Sequence, residues 1–185
     1  MPAPSRTSVD EIVSAGRLIL EAEGIDGLTM QRVAAAVGVR APSLYKRVRG
    51  RADLIRLIAN DVVGELASTM DAAATSGDPR ADLRALANAF RTFAQSHPKA
   101  YSLIFGQLPE DERADPELNA RASEALLRTA AALAGPDHAL DAARTVVAWA
   151  NGFVSMELSG AFRLGGDVDR AFAYGIDRLT RSISS

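Results

Sequence analysis

Apolar positions recur at three- and four-residue intervals along nearly the whole chain, and no run alternates with the two-residue period of a strand. Ser8-Val9-Asp10-Glu11 has the spacing of a capping box and opens a helix to about Glu23, with Ile12, Ala15, Ile19 and Ala22 on one face. Gly24 ends it. Thr29 has N-cap chemistry, because its hydroxyl can accept from an otherwise unpaired backbone N–H. Met30, Val33, Ala34 and Val37 follow at helical spacing, and Gly38 falls where that helix would stop. Val39 resumes the apolar pattern, Pro42 suits the first turn of a new helix, and Leu44 points back at the first one. Ala34, Gly38 and Leu44 therefore lie in the register of a helix-turn-helix: a small residue where two helices touch, a turn glycine, and an apolar residue in the second helix.

Beyond the hairpin the same period continues. Gly50-Arg51-Ala52-Asp53 opens a fourth helix to about Ala74, carried by Leu54, Leu57, Ile58, Val62, Leu66 and Met70. Thr75 to Pro79 is a break. A helix over Arg80 to Ser96 turns Leu83, Leu86, Ala87, Phe90 and Phe93 inward, and His97-Pro98 interrupts it. Lys99 to Gln107 is a short apolar segment, Pro109 to Pro116 an acidic loop, and Pro116 to Ala134 an Ala/Leu-rich helix. Gly135-Pro136-Asp137 precedes one long helix over Ala139 to Phe162, and Gly165-Gly166 a last helix over Val168 to Ser182. The pattern predicts an all-α fold of about nine helices, with an N-terminal three-helix domain holding the helix-turn-helix and a C-terminal helical bundle. The domain boundary is placed inside the fourth helix, giving residues 1–60 and 61–185.

Composition excludes several chemistries. The 185 residues are 48% hydrophobic and 24% charged, which is globular usage. There is no Cys, so no disulfide framework or thiolate chemistry, and His97 and His138 are the only histidines, which argues against a His-based metal site. No cofactor is expected. The N-terminus lacks an apolar core behind a basic head, and no stretch approaches the ~20 apolar residues of a membrane span, so a cytoplasmic protein is expected. Net charge is −2, but residues 1–60 carry +3 and residues 61–185 carry −5. A cationic head on an acidic body suits a protein that touches nucleic acid with one end. Met1 to Thr7 is a Pro/Ser segment in which Arg6 is either a minor-groove arm or part of a frayed terminus.

Charge sharpens the reading of the hairpin. Arg40, Lys46, Arg47, Arg49 and Arg51 fall between residues 40 and 51 with no acidic residue among them. A helix-turn-helix lays its second helix in the major groove, which calls for a cationic outer face. The stretch Thr29 to Leu54 resembles the DNA-binding domain of the TetR/AcrR family of bacterial transcriptional regulators, in the pattern T-x-x-x-[IV]-A-x-x-x-G-V-s-x-x-x-[IL]-Y-x-[HY]-F-x-s-[KR]-x-x-L. Thr29, Val33, Ala34, Gly38, Val39, Leu44, Tyr45, Arg51 and Leu54 match; Arg40, Arg47, Val48 and Arg49 depart from it. The resemblance implies double-stranded operator DNA as partner. It implies that Thr29 caps the first helix of the pair against a phosphate, that Tyr45 meets the backbone, and that Arg51 grips a phosphate. Arg40, Ser43 and Lys46 are the candidates for base edges, and Arg47 for either role.

A second chemistry is expected in the remaining ~125 residues. Trp149, Gly152, Glu157 and Leu158 resemble a subgroup of that family whose C-terminal domain carries Trp-x-x-His-Gly followed by Glu-Leu, with Asn151 standing in the His position. The ligand-binding candidates are Phe90, Phe93, His97, Tyr101, Phe105, Trp149, Asn151, Phe153 and Met156. Such a set suits a small apolar or aromatic effector; the alternative for each ring is ordinary core packing. Homodimerisation is expected through the last two long helices, with Ala139, Ala142, Ala143, Ala150 and Gly160 allowing close approach and Phe162, Phe172 and Leu179 supplying area; the alternative is that these faces close an intramolecular bundle. The function expected is a ligand-responsive DNA-binding repressor, not an enzyme. The rival readings are an all-α enzyme using the loop carboxylates Asp111, Glu112 and Asp115, and an interaction protein that does not bind DNA.

Overall fold

The structure is a computed structural model and describes residues 7–184, so Arg6 lies outside the described residues. Among the described residues there are nine α-helices and no strand. They are α1 (Val9–Glu23), α2 (Met30–Ala36), α3 (Ala41–Leu44), α4 (Arg51–Ala73), α5 (Pro79–Ser96), α6 (Pro98–Phe105), α7 (Pro116–Ala134), α8 (Ala139–Leu158) and α9 (Val168–Ser182). The helix ends follow their local chemistry. The capping box at α1 closes with Ser8 N–H donating to Glu11 at 3.0 Å and Glu11 N–H to Ser8 Oγ at 3.1 Å.

Two helices end in the same closed turn. At α2, Gly38 takes φ +72°, its N–H reaches Ala35 C=O at 3.2 Å, and Val39 N–H reaches Ala34 C=O at 2.9 Å. This six-to-one bond needs a left-handed residue, which glycine supplies without a Cβ clash. At α8, Gly160 takes φ +66° and Ala161 N–H reaches Met156 C=O at 2.8 Å, so the helix stops at Leu158 rather than at Phe162 as the periodicity suggested.

The helices form two compact units. The first holds the described residues up to Gly64 together with His97–Asn119, and therefore α1, α2, α3, α6 and the first part of α4. Its core is Ile12, Leu20, Leu28, Val33, Leu44, Val48, Leu54, Ile55 and Ile58. α1 packs on α2 and α6, and α2 on α3. A Cβ on Gly16 would stand 2.6 Å from Ile58 Cδ1, so the tip of that buried side chain fills the space beside Gly16. Glu21 of α1 accepts Lys99 N–H at 3.2 Å and Ala100 N–H at 2.9 Å, capping the first turn of α6 from another helix.

The second unit holds Glu65–Ser96 and the described residues from Ala120 onward. There α5 packs on α8 and α9, and α8 on α9. Trp149, Phe153 and Phe172 stack with centroids 5.0–5.7 Å apart, and Phe162 joins Phe153 at 4.8 Å. Gly175 of α9 faces the indole so closely that any Cβ there would overlap it. Phe172, expected to supply dimer area, is 1% exposed, and Ala142, Ala143 and Ala150 are also buried inside their own unit. The outward face of α8 instead carries Leu140, Val147, Ala148, Gly152, Ser155 and Leu158. Ala142, Ala143 and Ala150 occupy the opposite phase of the helix.

Gly175→Ala is expected to destabilise the second unit by ~1–3 kcal/mol, the scale of overpacking a rigid ring. Trp149 is the chain's single tryptophan, so urea unfolding followed by its fluorescence reads that unit directly.

Candidate nucleic-acid interface

A four-residue helix does not hold itself, because one turn fixes several dihedrals for very few hydrogen bonds. α3 is set from both sides. Before it comes the Gly38 turn. After it, Arg47 N–H and Val48 N–H both reach Leu44 C=O at 2.8 and 2.9 Å, so Tyr45, Lys46 and Arg47 wind on as a turn rather than as further α-helix. Leu44 and Val48 are 1% and 0% exposed. With those two buried, Arg40, Ser43, Tyr45, Lys46 and Arg47 are all exposed. The chain carries no acidic residue between Asp26 and Asp53, so this surface has one sign of charge.

Thr29 caps α2, its Oγ1 accepting from Arg32 N–H at 3.3 Å, and the exposed hydroxyl hydrogen can donate outward. Arg32 is paired with Glu23. Arg51 is exposed, but its Nε donates to Leu28 C=O at 2.9 Å and its Nη2 to Ile25 C=O at 2.7 Å. The guanidinium thereby ties the start of α4 to the turn that leads into α2. Behind α3, Asp53 accepts Arg49 N–H at 2.9 Å, Arg49 Nη2 at 3.2 Å and Arg56 Nη2 at 2.9 Å. The Arg49 amide and then the Arg56 guanidinium pull its carboxyl down from the ordinary 3.8 to about 2.

The nine ligand-binding candidates divide between the units. His97, Tyr101 and Phe105 belong to the first, where Tyr101 is buried and stacks on the exposed Phe105 at 5.0 Å. Phe90, Phe93, Trp149, Asn151, Phe153 and Met156 belong to the second. Phe93 is buried, Phe90, Trp149, Asn151 and Phe153 are half-buried, and Met156 is exposed. Beside these rings lies a charge the periodicity did not reveal. Arg91 is 9% exposed, and donates through Nε and Nη2 to the two oxygens of Glu157 at 2.8 and 2.5 Å. Its Nη2 also reaches Asp169 at 2.6 Å, and its guanidinium lies 4.9 Å from the Phe172 centroid. Two cavities are lined by other residues. One, of about 240 Å³ in the first unit, is bounded by Ala59, Ile104, Gln107, Leu108 and Arg113; the other, of about 360 Å³ in the second, by His138, Asp141, Ala142 and Ile183.

Residues 12–58 match the model of the tetR family of bacterial regulatory proteins, and residues 83–179 that of the tetracycline repressor-like C-terminal domain. The chain is 30% identical over 164 residues to the HTH-type transcriptional regulator Rv0681 of Mycobacterium tuberculosis, covering 85% of this chain and 73% of that one. The chain belongs to the TetR family. It is also 37% identical over 97 residues to the HTH-type transcriptional repressor DrrR1 of Streptomyces coeruleorubidus, covering 52% of this chain and 35% of DrrR1. A solved TetR variant from Acinetobacter baumannii AYE, in complex with minocycline, superposes with a TM-score of 0.69 at 26% identity, over 94% of this chain and 97% of that one. TetR regulators are DNA-binding transcriptional regulators that respond to small molecules and act as dimers.

Within this TetR chain, two sets of side chains escaped sequence reasoning. Arg91 is one: a lone arginine between Phe90 and Phe93 on an apolar face needs a carboxylate, and Glu157 is the single charge between Arg144 and Arg163. Glu157 is accordingly held inside, not set out in solvent. The other is Arg56, Asn60 and Asp115. Arg56 and Asn60 stand one turn apart on one face of α4, a spacing that lets both reach Asp115.

Lys46→Ala is expected to weaken duplex binding about equally across sequences or to relax one base position, lowering the salt slope by ~1 if the contact is to phosphate. Arg51→Ala is expected to lower the melting temperature of the first unit besides any effect on DNA; fluorescence polarisation at several salt concentrations, with parallel melts, separates the two. Asp53 makes a pH prediction. Its folded pKa lies below its unfolded one, so its contribution is present above the ordinary 3.8 and is lost as pH falls through about 2. The melting-temperature gap between the native chain and Asp53→Asn should be widest near neutrality and close towards pH 2.

Proposed function

We propose that this TetR chain is a repressor that binds a near-palindromic operator as a homodimer and is released by a small apolar or aromatic effector. The observation that carries the reading is the exposed, single-signed surface of Arg40, Ser43, Tyr45, Lys46 and Arg47 over a buried Leu44 and Val48. Residues 1–60 read the duplex, with Thr29 and Arg51 at phosphates, Arg40, Ser43 and Lys46 at base edges, Tyr45 at the backbone and Arg47 at either. Residues 61–185 carry the effector response and the dimer contact. The cytoplasm is its place of action, and no helix among the described residues is long and apolar enough to cross a membrane.

Dimer contact is proposed for the outward stripe of α8, where Leu140, Val147 and Leu158 are 49%, 41% and 38% exposed beside the small residues Ala148, Gly152 and Ser155. Two recognition helices read successive half-sites when the dimer sets them about one turn of DNA apart, ~34–36 Å. Among the ligand candidates, Phe90, Phe93, Trp149, Asn151, Phe153 and Met156 form the set proposed for effector contact, with His97, Tyr101 and Phe105 responding in the first unit. The complex of the Acinetobacter relative with minocycline supports a small organic effector. An effector acts only through its different affinities for the DNA-competent and released states. Membership of a family of transcriptional regulators supports a non-enzymatic role, and Asp115, one of the carboxylates of the enzyme reading, is engaged by Arg56 and Asn60.

The test has two parts. Duplexes recovered by the chain from a random pool should carry an inverted repeat, and sedimentation should give a dimer that Val147→Glu converts to monomer. A panel of planar aromatic compounds should include one that both shifts Trp149 fluorescence and lowers affinity for that duplex; a dimer that recovers no duplex overturns the reading.

A further inference from the structure

On one face of α4, three polar residues stand at positions 53, 56 and 60, the i, i+3, i+7 stripe of a helix. Each is engaged, and the engagements join end to end. Asp53 holds the Arg49 amide immediately after the recognition segment. Arg56 is shared, giving Nη2 to Asp53 at 2.9 Å and Nη1 to Asp115 Oδ1 at 3.1 Å. Asn60 closes a reciprocal pair with the same residue: its Nδ2 donates to Asp115 Oδ2 at 2.7 Å, and Asp115 N–H donates to Asn60 Oδ1 at 2.8 Å. Asp115 is the last residue before α7, and its carbonyl accepts Leu118 N–H at 3.1 Å and Asn119 N–H at 3.2 Å. All of these residues lie in the first unit.

The parts differ in how they are held. The Asp53 side chain is 14% exposed and that of Arg56 28%, whereas that of Asp115 is 47%. The ladder is therefore firm at its recognition end and open to solvent at its α7 end. Arg56 has two acceptors and one planar guanidinium, so withdrawing Asp115 lets the fork rotate and changes its bond to Asp53. None of Arg56, Asn60 and Asp115 is on the cationic surface.

We propose that Asp115 is a positioning residue for DNA binding: through Arg56 and Asp53 it fixes the Arg49 backbone, and so the seating of α3, from the loop that enters α7. Any displacement of that loop reaches the recognition helix through this ladder. The inference rests on the DNA-reading role of α3 and names a control point for it.

The experiment compares Asp115→Ala, Asp115→Asn and Asp53→Asn, alone and as the Asp115→Ala/Asp53→Asn double variant. Affinity for the duplex recovered by the native chain should fall about three- to tenfold in Asp115→Ala, the scale of coupling through such networks. The salt slope should not change, because no phosphate contact is removed. The double variant should be no weaker than Asp53→Asn alone, since both act on one path. Asp115→Asn, which keeps the Asn60 pairing but not the charge, should fall between. Independently of DNA, hydrogen exchange at the Arg49 amide should quicken about threefold or more in Asp115→Ala while the α1 amides keep their rates. Unchanged Arg49 exchange, or additive losses in the double variant, overturns the proposal. A native chain that retains no duplex counts against the DNA reading, and the Arg49 amide then decides the ladder by itself.

Discussion

The recognition segment is too short to be a helix by its own hydrogen bonds. Everything functional about it is borrowed: its direction from the left-handed Gly38, its depth from Leu44 and Val48, its exit from the Asp53 carboxylate. Helices of this length are marginal in isolation, so the surrounding packing decides which side chains look outward. The five exposed cationic and hydroxyl-bearing groups are consequently a product of core burial. Their charges repel one another, and the buried apolar pair beneath them opposes that repulsion. The same dependence explains why Arg51 matters twice, once as a cation and once as a tie from α4 to the Ile25 and Leu28 carbonyls.

The second unit meets a different constraint. A guanidinium lies nearly buried against aromatic rings, where an unpaired charge would be costly. Arg91 is accommodated by a fork-on-carboxylate pair with Glu157, a further bond to Asp169 and the face of Phe172. α5 gives Arg91, α8 gives Glu157, and α9 gives both Asp169 and Phe172, so the ion pair specifies how the three helices meet, while the rings supply the area. Close approach of α9 to the indole at Gly175 completes the arrangement. The result is a close-packed cluster of rings where the three helices meet.

Much of this was legible from residue order. The capping box, the Thr29 cap, the Gly38 stop and the apolar period locate the helices because each is a local device read within about four residues. The outward set on α3 was legible for the same reason, since burying Leu44 fixes the phase of its neighbours. What escaped was set by distance along the chain. Periodicity cannot show that Arg91 meets Glu157 sixty-six residues away, nor that Asp115, which sits in a run of solvated acids, is the one that Arg56 and Asn60 capture. The end of α8 escaped for a subtler reason: Ala161 and Phe162 continue the helical pattern, and one left-handed glycine outweighs it. Ala142, Ala143 and Ala150 read equally well as intramolecular or intermolecular packing, because small residues suit both, and only their burial within the unit decides between the two.

The Arg91–Glu157 pair has a consequence for descent. Either residue alone is a liability: a buried guanidinium without its carboxylate, or a carboxylate without its guanidinium, is worse than a neutral pair of the same volume. Single replacements at 91 or 157 should therefore be purged, and lineages that abandon one should abandon the other. The two positions are expected to change together in descent, because neither charge is tolerated inside without the other.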